Sequence, residues 1–343
     1  MKTIYSPDHA LHASPGEMLY GEFVPAFEKP ERAELVLARV KETALGAIVA
    51  PTAFPLDHIT RIHAPGLVEL LRGAHEEWRA LGRPGAVYPY TWPTRGMRAD
   101  KVPAGLDGRL AYYSFDCGTP ITATSWQAIK SSVDTALTGA ALLTAGETAA
   151  FALCRPPGHH AGADHFGGYC YLNNAAIAEQ KLLDDGAKRV AILDIDYHHG
   201  NGTQQIFYGR PDVLFISLHG HPDEEYPYLL GHADETGAGA GHGFNLNLPL
   251  HWGTQWPAYE TALQAGLSRV RAFMPDALVT SLGVDTYKDD PISHFLLEQA
   301  HFSRIGEMLA QLGLPTLFVM EGGYAVAEIG INAVNVLTAF AGG

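Results

Sequence analysis

Hydrophobic residues in this chain fall into short unbroken runs, separated by longer stretches in which apolar positions recur every three or four residues. The runs cover residues 47–50, 149–153, 190–195, 213–218, 277–282 and 316–320. Rich in aliphatic residues and apolar at consecutive positions, they predict strands buried on both faces. Segments 125–145, 171–184, 256–273 and 302–312 carry the helical period between them. Such alternation predicts an α/β fold: an open, mostly parallel multi-stranded sheet with helices on both faces. Ligands then gather at the carboxyl ends of the strands. The 343 residues are expected to form a single domain.

Residues 81–101 follow neither period. Tyr88, Pro89, Tyr90, Trp92 and Pro93 crowd this stretch. Long loops of this kind usually serve a site or an interface, and three aromatics are seldom left to water. The loop is expected to pack against a partner subunit.

Charge narrows the partners. With 23 Lys+Arg against 37 Asp+Glu, the balance is 23 − 37 = −14. That excess argues against nucleic acid and anionic membranes and suits a cationic ligand. Three cysteines, none in a Cys-x-x-Cys pair, point to a reducing compartment. With no signal-peptide core and no apolar stretch of membrane length, a soluble cytoplasmic protein is expected.

Four of the apolar runs lead directly into polar clusters. Arg155-Pro156-Pro157-Gly158-His159-His160 follows the second, and Asp194-Ile195-Asp196-Tyr197-His198-His199-Gly200-Asn201-Gly202 continues the third. Gly283-Val284-Asp285-Thr286 and Glu321-Gly322-Gly323-Tyr324 follow the last two. Charged groups at buried strand ends need compensation, which a cation supplies most simply. If the backbone stays extended past the strand, Asp196 and His198 point the same way and converge on one ion. With Asp285 they form a two-carboxylate, one-imidazole set, suited to catalytic zinc with positions left for water and substrate. His159 and His160 offer one base and one electrostatic partner or proton donor. Tyr324, beside Gly323, can swing over the metal and donate to a carbonyl oxygen.

These clusters, with Gly168-Tyr169-Cys170-Tyr171-Leu172-Asn173-Asn174 and Asp290-Pro291, resemble the arginase–deacetylase superfamily, and within it the zinc-dependent deacetylases of the histone deacetylase type. The Tyr5-Ser6-Pro7-Asp8-His9 opening, Ala149-Ala150-Phe151 and the loop around Trp92 are similar to bacterial acetylpolyamine amidohydrolases. The resemblance implies one zinc per subunit, with Fe2+ as the alternative ion, and His160 as general base and then acid. It places Asp194 behind His159. It also implies a structural K+ or Na+ held by the backbone of Asp194, Asp196, His198 and Leu218 with the Ser217 hydroxyl. Gly168, Tyr169 and Tyr226 would line a narrow tunnel, and the Trp92 loop would cross a homodimer interface and narrow the entrance. The implied reaction is deacetylation of a small N-acetylated diamine or polyamine; the alternative is acetyl-lysine in a protein or peptide.

Three departures refine this reading. Asn201 stands where many histone deacetylases have aspartate, leaving His160 without a carboxylate behind it. Gly118 replaces an acidic residue that meets a distal ammonium, with Asp116 nearby, so short amines are favoured. His221 replaces a frequent aspartate. An arginase-type binuclear site is disfavoured because Gly283 offers no second carboxylate. A pure binding module has no use for base, acid and oxyanion donor together.

Overall fold

In the computed structural model, which describes residues 1–342, the strands are β1 (Lys2–Ile4), β2 (Glu17–Leu19), β3 (Glu22–Val24), β4 (Ile48–Val49), β5 (Ala149–Ala152), β6 (Val190–Asp194), β7 (Val213–Gly220), β8 (Asn245–Leu250), β9 (Ala277–Leu282) and β10 (Thr316–Met320). Eight of them form one parallel sheet in the order β4-β1-β5-β10-β9-β6-β7-β8, while β2 and β3 pair as an antiparallel hairpin. All six strands expected from the apolar runs are present. Two others, β1 and β8, escaped because neither is an apolar run. The first is three residues long, and the second, at the sheet edge, alternates as Asn-Leu-Asn-Leu, with Asn245 and Asn247 buried and Leu246 and Leu248 half-buried.

Among the described residues ten α-helices accompany the strands: α1 (Glu31–Glu42), α2 (Asp57–Thr60), α3 (Pro65–Ala80), α4 (Leu106–Tyr113), α5 (Ser125–Thr144), α6 (Asn174–Asp184), α7 (Asn201–Phe207), α8 (Trp256–Phe273), α9 (Gln299–Ala310) and α10 (Ile329–Gly342). The helix expected from residue 171 begins at Asn174, because the Asn173 side chain caps it by accepting from the Ala176 amide at 2.9 Å. Side chains alternate across the sheet and divide the core in two. Ala150, Ala152 and Ile192 pack with Leu137, Ala140 and Ala175 of α5 and α6. Phe151, Leu193 and Phe318 pack with Val36, Leu267, Ile305 and Val334 of α1, α8, α9 and α10. Among the described residues, no helix is long and apolar enough to cross a membrane.

Four adjacent strands, β5-β10-β9-β6, form the middle of the sheet. These are the four whose carboxyl ends lead into the polar clusters. Segments from residue 155 to residue 324 thereby meet at one edge.

Candidate active site

The strand carrying the first two carboxylates is shorter than expected. β6 ends at Asp194, so Asp196 and His198 stand on a bend rather than on extended backbone. They converge nonetheless, because backbone amides aim both aspartates. Asp196 Oδ1 accepts from the His198 amide at 2.9 Å and Oδ2 from the Gly322 amide at 2.7 Å. Asp285 Oδ1 accepts from the Tyr197 amide at 2.8 Å. His198 Nδ1 lies 3.0 Å from Asp285 Oδ2 and 3.4 Å from Asp196 Oδ1. One donor atom from each of Asp196, His198 and Asp285 lies within 4.8 Å of the others, and all three residues are buried.

The space around this trio is closed by two glycines. A Cβ on Gly283 would collide with the Asp196 carboxylate, and one on Gly322 would lie 2.5 Å from Asp196 Oδ2 and 2.6 Å from Asp285 Oδ2. A second metal-binding carboxylate at position 283 therefore has no room, and the donors suit one ion. Electrostatics point the same way. Burial and the Asp196 charge push the Asp285 carboxyl up to about 8. Burial pushes Asp196 up as well, but His159 and His198 outweigh it and hold it below the usual carboxylate range. Two buried carboxylates in contact call for positive charge. Two oxygens and one imidazole nitrogen are the donors a zinc ion takes.

The imidazole pair faces this centre with rings 4.0 Å apart, and the His160 ring lies 6.1 Å from that of His198. The two histidines are tuned apart. His159 Nδ1 donates to Asp194 Oδ2 at 3.0 Å. Burial lowers its pKa, but the Asp196 and Asp194 carboxylates outweigh burial and raise it to about 10. His160 Nδ1 lies 2.6 Å from Asn201 Oδ1. Burial, with His159 and His198 nearby, holds His160 well below its ordinary value. An amide oxygen only accepts, so Nδ1 of His160 carries the hydrogen and Nε2 presents a lone pair.

Tyr324 lies near the Asp196 and Asp285 carboxylates. Asp290 Oδ2 accepts from the Tyr324 and Ala325 amides at 2.7 and 3.1 Å, and Gly323 adopts φ +127° in the turn before it. Burial raises the phenol well above its usual pKa, so it remains a donor.

Gly168, Tyr169 and Tyr226 come together. Tyr169 packs edge-on against Tyr324 at 5.7 Å, and Tyr226 against His160 at 5.2 Å. Two consecutive left-handed residues, Gly168 (φ +58°) and Tyr169 (φ +64°), make this turn. A side chain at Gly168 would strike the His160 ring. Trp92 is only half-buried, and among the described residues no aromatic ring stacks on it. Its loop still borders the site: Pro93 and Ala99 line a cavity of about 350 Å³ together with Phe115, Asn201 and Leu229. Ser217 pairs in register with Asp194, and its hydroxyl lies 2.8 Å from His219 Nδ1, with Leu218 next along β7. His221, in the loop that follows, stacks on His251 at 4.6 Å.

Several participants were not assigned from sequence. Asp116 is committed to the Gly168-Tyr169 turn, and so is less free to meet a substrate than its position suggests. Its Oδ2 accepts from the Gly168 amide and the Tyr226 hydroxyl. Glu17 of β2 accepts from the Tyr169 hydroxyl at 3.0 Å. Glu321 accepts from the Gly158 and His159 amides at 2.7 and 3.2 Å. A lone acidic residue carries no signal of such a role. The one visible cue was that Glu321 lies within the cluster after the last apolar run.

This combination of fold and site defines the class. The chain belongs to the histone deacetylase domain family, matched over residues 26–340, within the arginase–deacetylase superfamily of hydrolases. It is 57% identical over 342 residues to acetylpolyamine amidohydrolase 2 of Pseudomonas aeruginosa, covering 100% of this chain and 99% of that protein. It is 48% identical to the acetylpolyamine amidohydrolase of Mycoplana ramosa, covering 100% of each chain. The crystal structure of the acetylpolyamine aminohydrolase from Burkholderia pseudomallei matches with a TM-score of 0.94 at 38% identity, covering 99% of this chain and 98% of that one.

Proposed function

We propose that this protein hydrolyses the amide of small N-acetylated diamines or polyamines, using one zinc per subunit. The observation that carries the reading is the convergence of Asp196, His198 and Asp285 opposite a neutral His160 and a protonated Tyr324. A zinc ion held by those three residues would supply Lewis acidity toward the amide carbonyl and acidify a water. His160 Nε2 takes a proton from the attacking water and returns it to the departing amine nitrogen. The Tyr324 hydroxyl donates to the carbonyl oxygen as negative charge develops there. Cationic His159, anchored by Asp194, keeps positive charge beside the reacting carbonyl.

A cationic substrate agrees with the negative surroundings. Net charge is −14, and Glu17 and Asp116 lie beside Tyr169. The names of the relatives point to acetylated polyamines. Acetylputrescine, acetylspermine and an acetyl-lysine peptide, compared side by side, test the substrate class. We expect the free amines to be preferred; preference for the peptide overturns the assignment.

The resemblance also supports a structural K+ or Na+ at Asp194, Asp196, His198, Ser217 and Leu218, and a single unit of residues 1–343 that acts as a cytoplasmic homodimer. Three free cysteines agree with a reducing compartment. Exposed apolar residues agree with a dimer: Tyr20 is 98% exposed, Leu229 82% and Tyr90, in the 81–101 loop, 65%. Sedimentation at micromolar concentration tests the dimer, and a monomer there counts against it.

A further inference from the structure

Behind the reacting groups lies a buried charge cluster that plays no direct part in the chemistry. Glu28, 2% exposed, precedes α1 and lies four residues before Arg32. Its carboxylate accepts from Arg155 twice, Nε to Oε1 at 2.7 Å and Nη2 to Oε2 at 3.0 Å, and from Arg32 Nη1 at 3.0 Å. Arg155 begins the turn that carries His159 and His160, and its remaining Nη1 donates to the His9 carbonyl. Arg32 Nε and Nη2 donate to the carbonyls of Gly323 and Glu321, each at 2.6 Å. The Arg32 guanidinium then lies 4.7 Å from the centre of the Tyr324 ring.

One carboxylate therefore separates two buried guanidiniums that would otherwise repel each other, and one of them grips the backbone of the turn leading into the oxyanion donor and lies over that donor's ring. Stability alone gives little reason for this arrangement, since buried ion clusters often do no better than apolar packing of similar volume. Geometry does. A guanidinium fork spends donors in a fixed plane, so its anchored end dictates where its other end points. Arg155 fixes Glu28, Glu28 fixes Arg32, and Arg32 fixes the Glu321–Tyr324 turn.

We propose that Glu28 is a positioning residue for the hydrolysis. Acting through Arg32, it holds the Tyr324 hydroxyl in place against the substrate carbonyl. The inference rests on the oxyanion role given to Tyr324 above.

A double-mutant cycle separates this role from a merely structural one. Turnover, KM and bound zinc are measured for the wild type, Glu28→Gln, Tyr324→Phe and the double variant. Glu28→Gln is expected to lower kcat roughly tenfold or more, with KM within about threefold and zinc content unchanged. In the Tyr324→Phe background the same change is expected to cost less than about twofold, since no hydroxyl remains to be aimed. An unchanged kcat in Glu28→Gln, or an equal loss in both backgrounds, overturns the positioning role. An unaffected rate in Tyr324→Phe removes the reading underneath it, and the inference with it. Should Glu28→Gln fail to fold, Arg32→Lys, which keeps the charge but loses the fork, runs through the same cycle. The same pattern supports the proposal there, and the same equal loss overturns it.

Discussion

Asp116 Oδ2 accepts from the Tyr226 hydroxyl at 2.9 Å while also accepting from the Gly168 amide at 2.6 Å. One carboxylate oxygen thus ties together two residues on facing loops, and Phe115, its chain neighbour, stacks on Tyr226 at 6.0 Å. Removing it leaves the left-handed Gly168-Tyr169 turn and the Tyr226 ring without a common anchor. Asp116→Ala is expected to raise KM by roughly tenfold and lower kcat less, because the groups that react are held by other segments. A loss confined to kcat would show that the tie serves the chemistry instead of substrate binding.

Metal content tests the centre directly. Protein treated with chelator is expected to lose activity and regain it with about one equivalent of Zn2+, and Asp285→Ala to retain little zinc by elemental analysis. Two equivalents for full activity would contradict the closed cradle formed around the trio by Gly283 and Gly322.

The amide behind the base gives a prediction with a sign. His160 is held below its ordinary pKa by burial and by its histidine neighbours, and Asn201 supplies no charge to oppose them. Asn201→Asp places an anion against Nδ1, which stabilises the protonated ring and raises its pKa. Since a histidine must be neutral to accept the proton in the proposed role, activity on the acid side is then expected to disappear at a higher pH. The acid limb of the kcat/KM profile is expected to move upward; a limb that stays in place means that another group sets it.

Stability carries a separate signature at His63, whose ring spans the Gly162 carbonyl at 2.8 Å and the Asn173 amide at 2.9 Å. Burial lowers its pKa to about 3. Between that value and about 6.5 the unfolded chain binds a proton that the folded chain refuses, so this residue's contribution weakens as pH falls through the window. The stability advantage of the wild type over His63→Gln should shrink by about 1.4 kcal/mol per pH unit below pH 6.5. Denaturant midpoints at pH 7.5, 6 and 5 check this, and a constant difference would be evidence against a neutral buried ring.

Apolar runs revealed the central strands because a strand covered on both faces must be apolar at every position, and this leaves a direct trace in sequence. Edge strand β8, whose alternate positions are asparagines buried through hydrogen bonds to Gln204, and the three-residue β1 leave no such trace. The Asp196–His198 pair was visible as a D-x-H motif, though the bend that joins its side chains differs from the extended backbone the spacing suggested. Glu17 and Glu28 were silent, Glu321 was visible only as a member of its cluster, and Asp116 only as a neighbour of Gly118. Their partners lie far away in sequence, and an acidic residue looks the same whether it is solvated or clamped.

Composition, periodicity and motif order therefore determined on their own that this chain forms a covered parallel sheet whose strand ends carry candidate metal ligands, paired imidazoles and a phenol. These are local properties, set by which faces must be buried and which residue types can do the chemistry. Strand order was decided only in three dimensions. Placing β10 and β9 between β5 and β6 brings the four clusters side by side. Long-range bonds from Glu28, Arg32, Asp116 and Asp290 then fix angles that no spacing along the chain encodes, because hydrogen-bond direction depends on where the partner has been folded to.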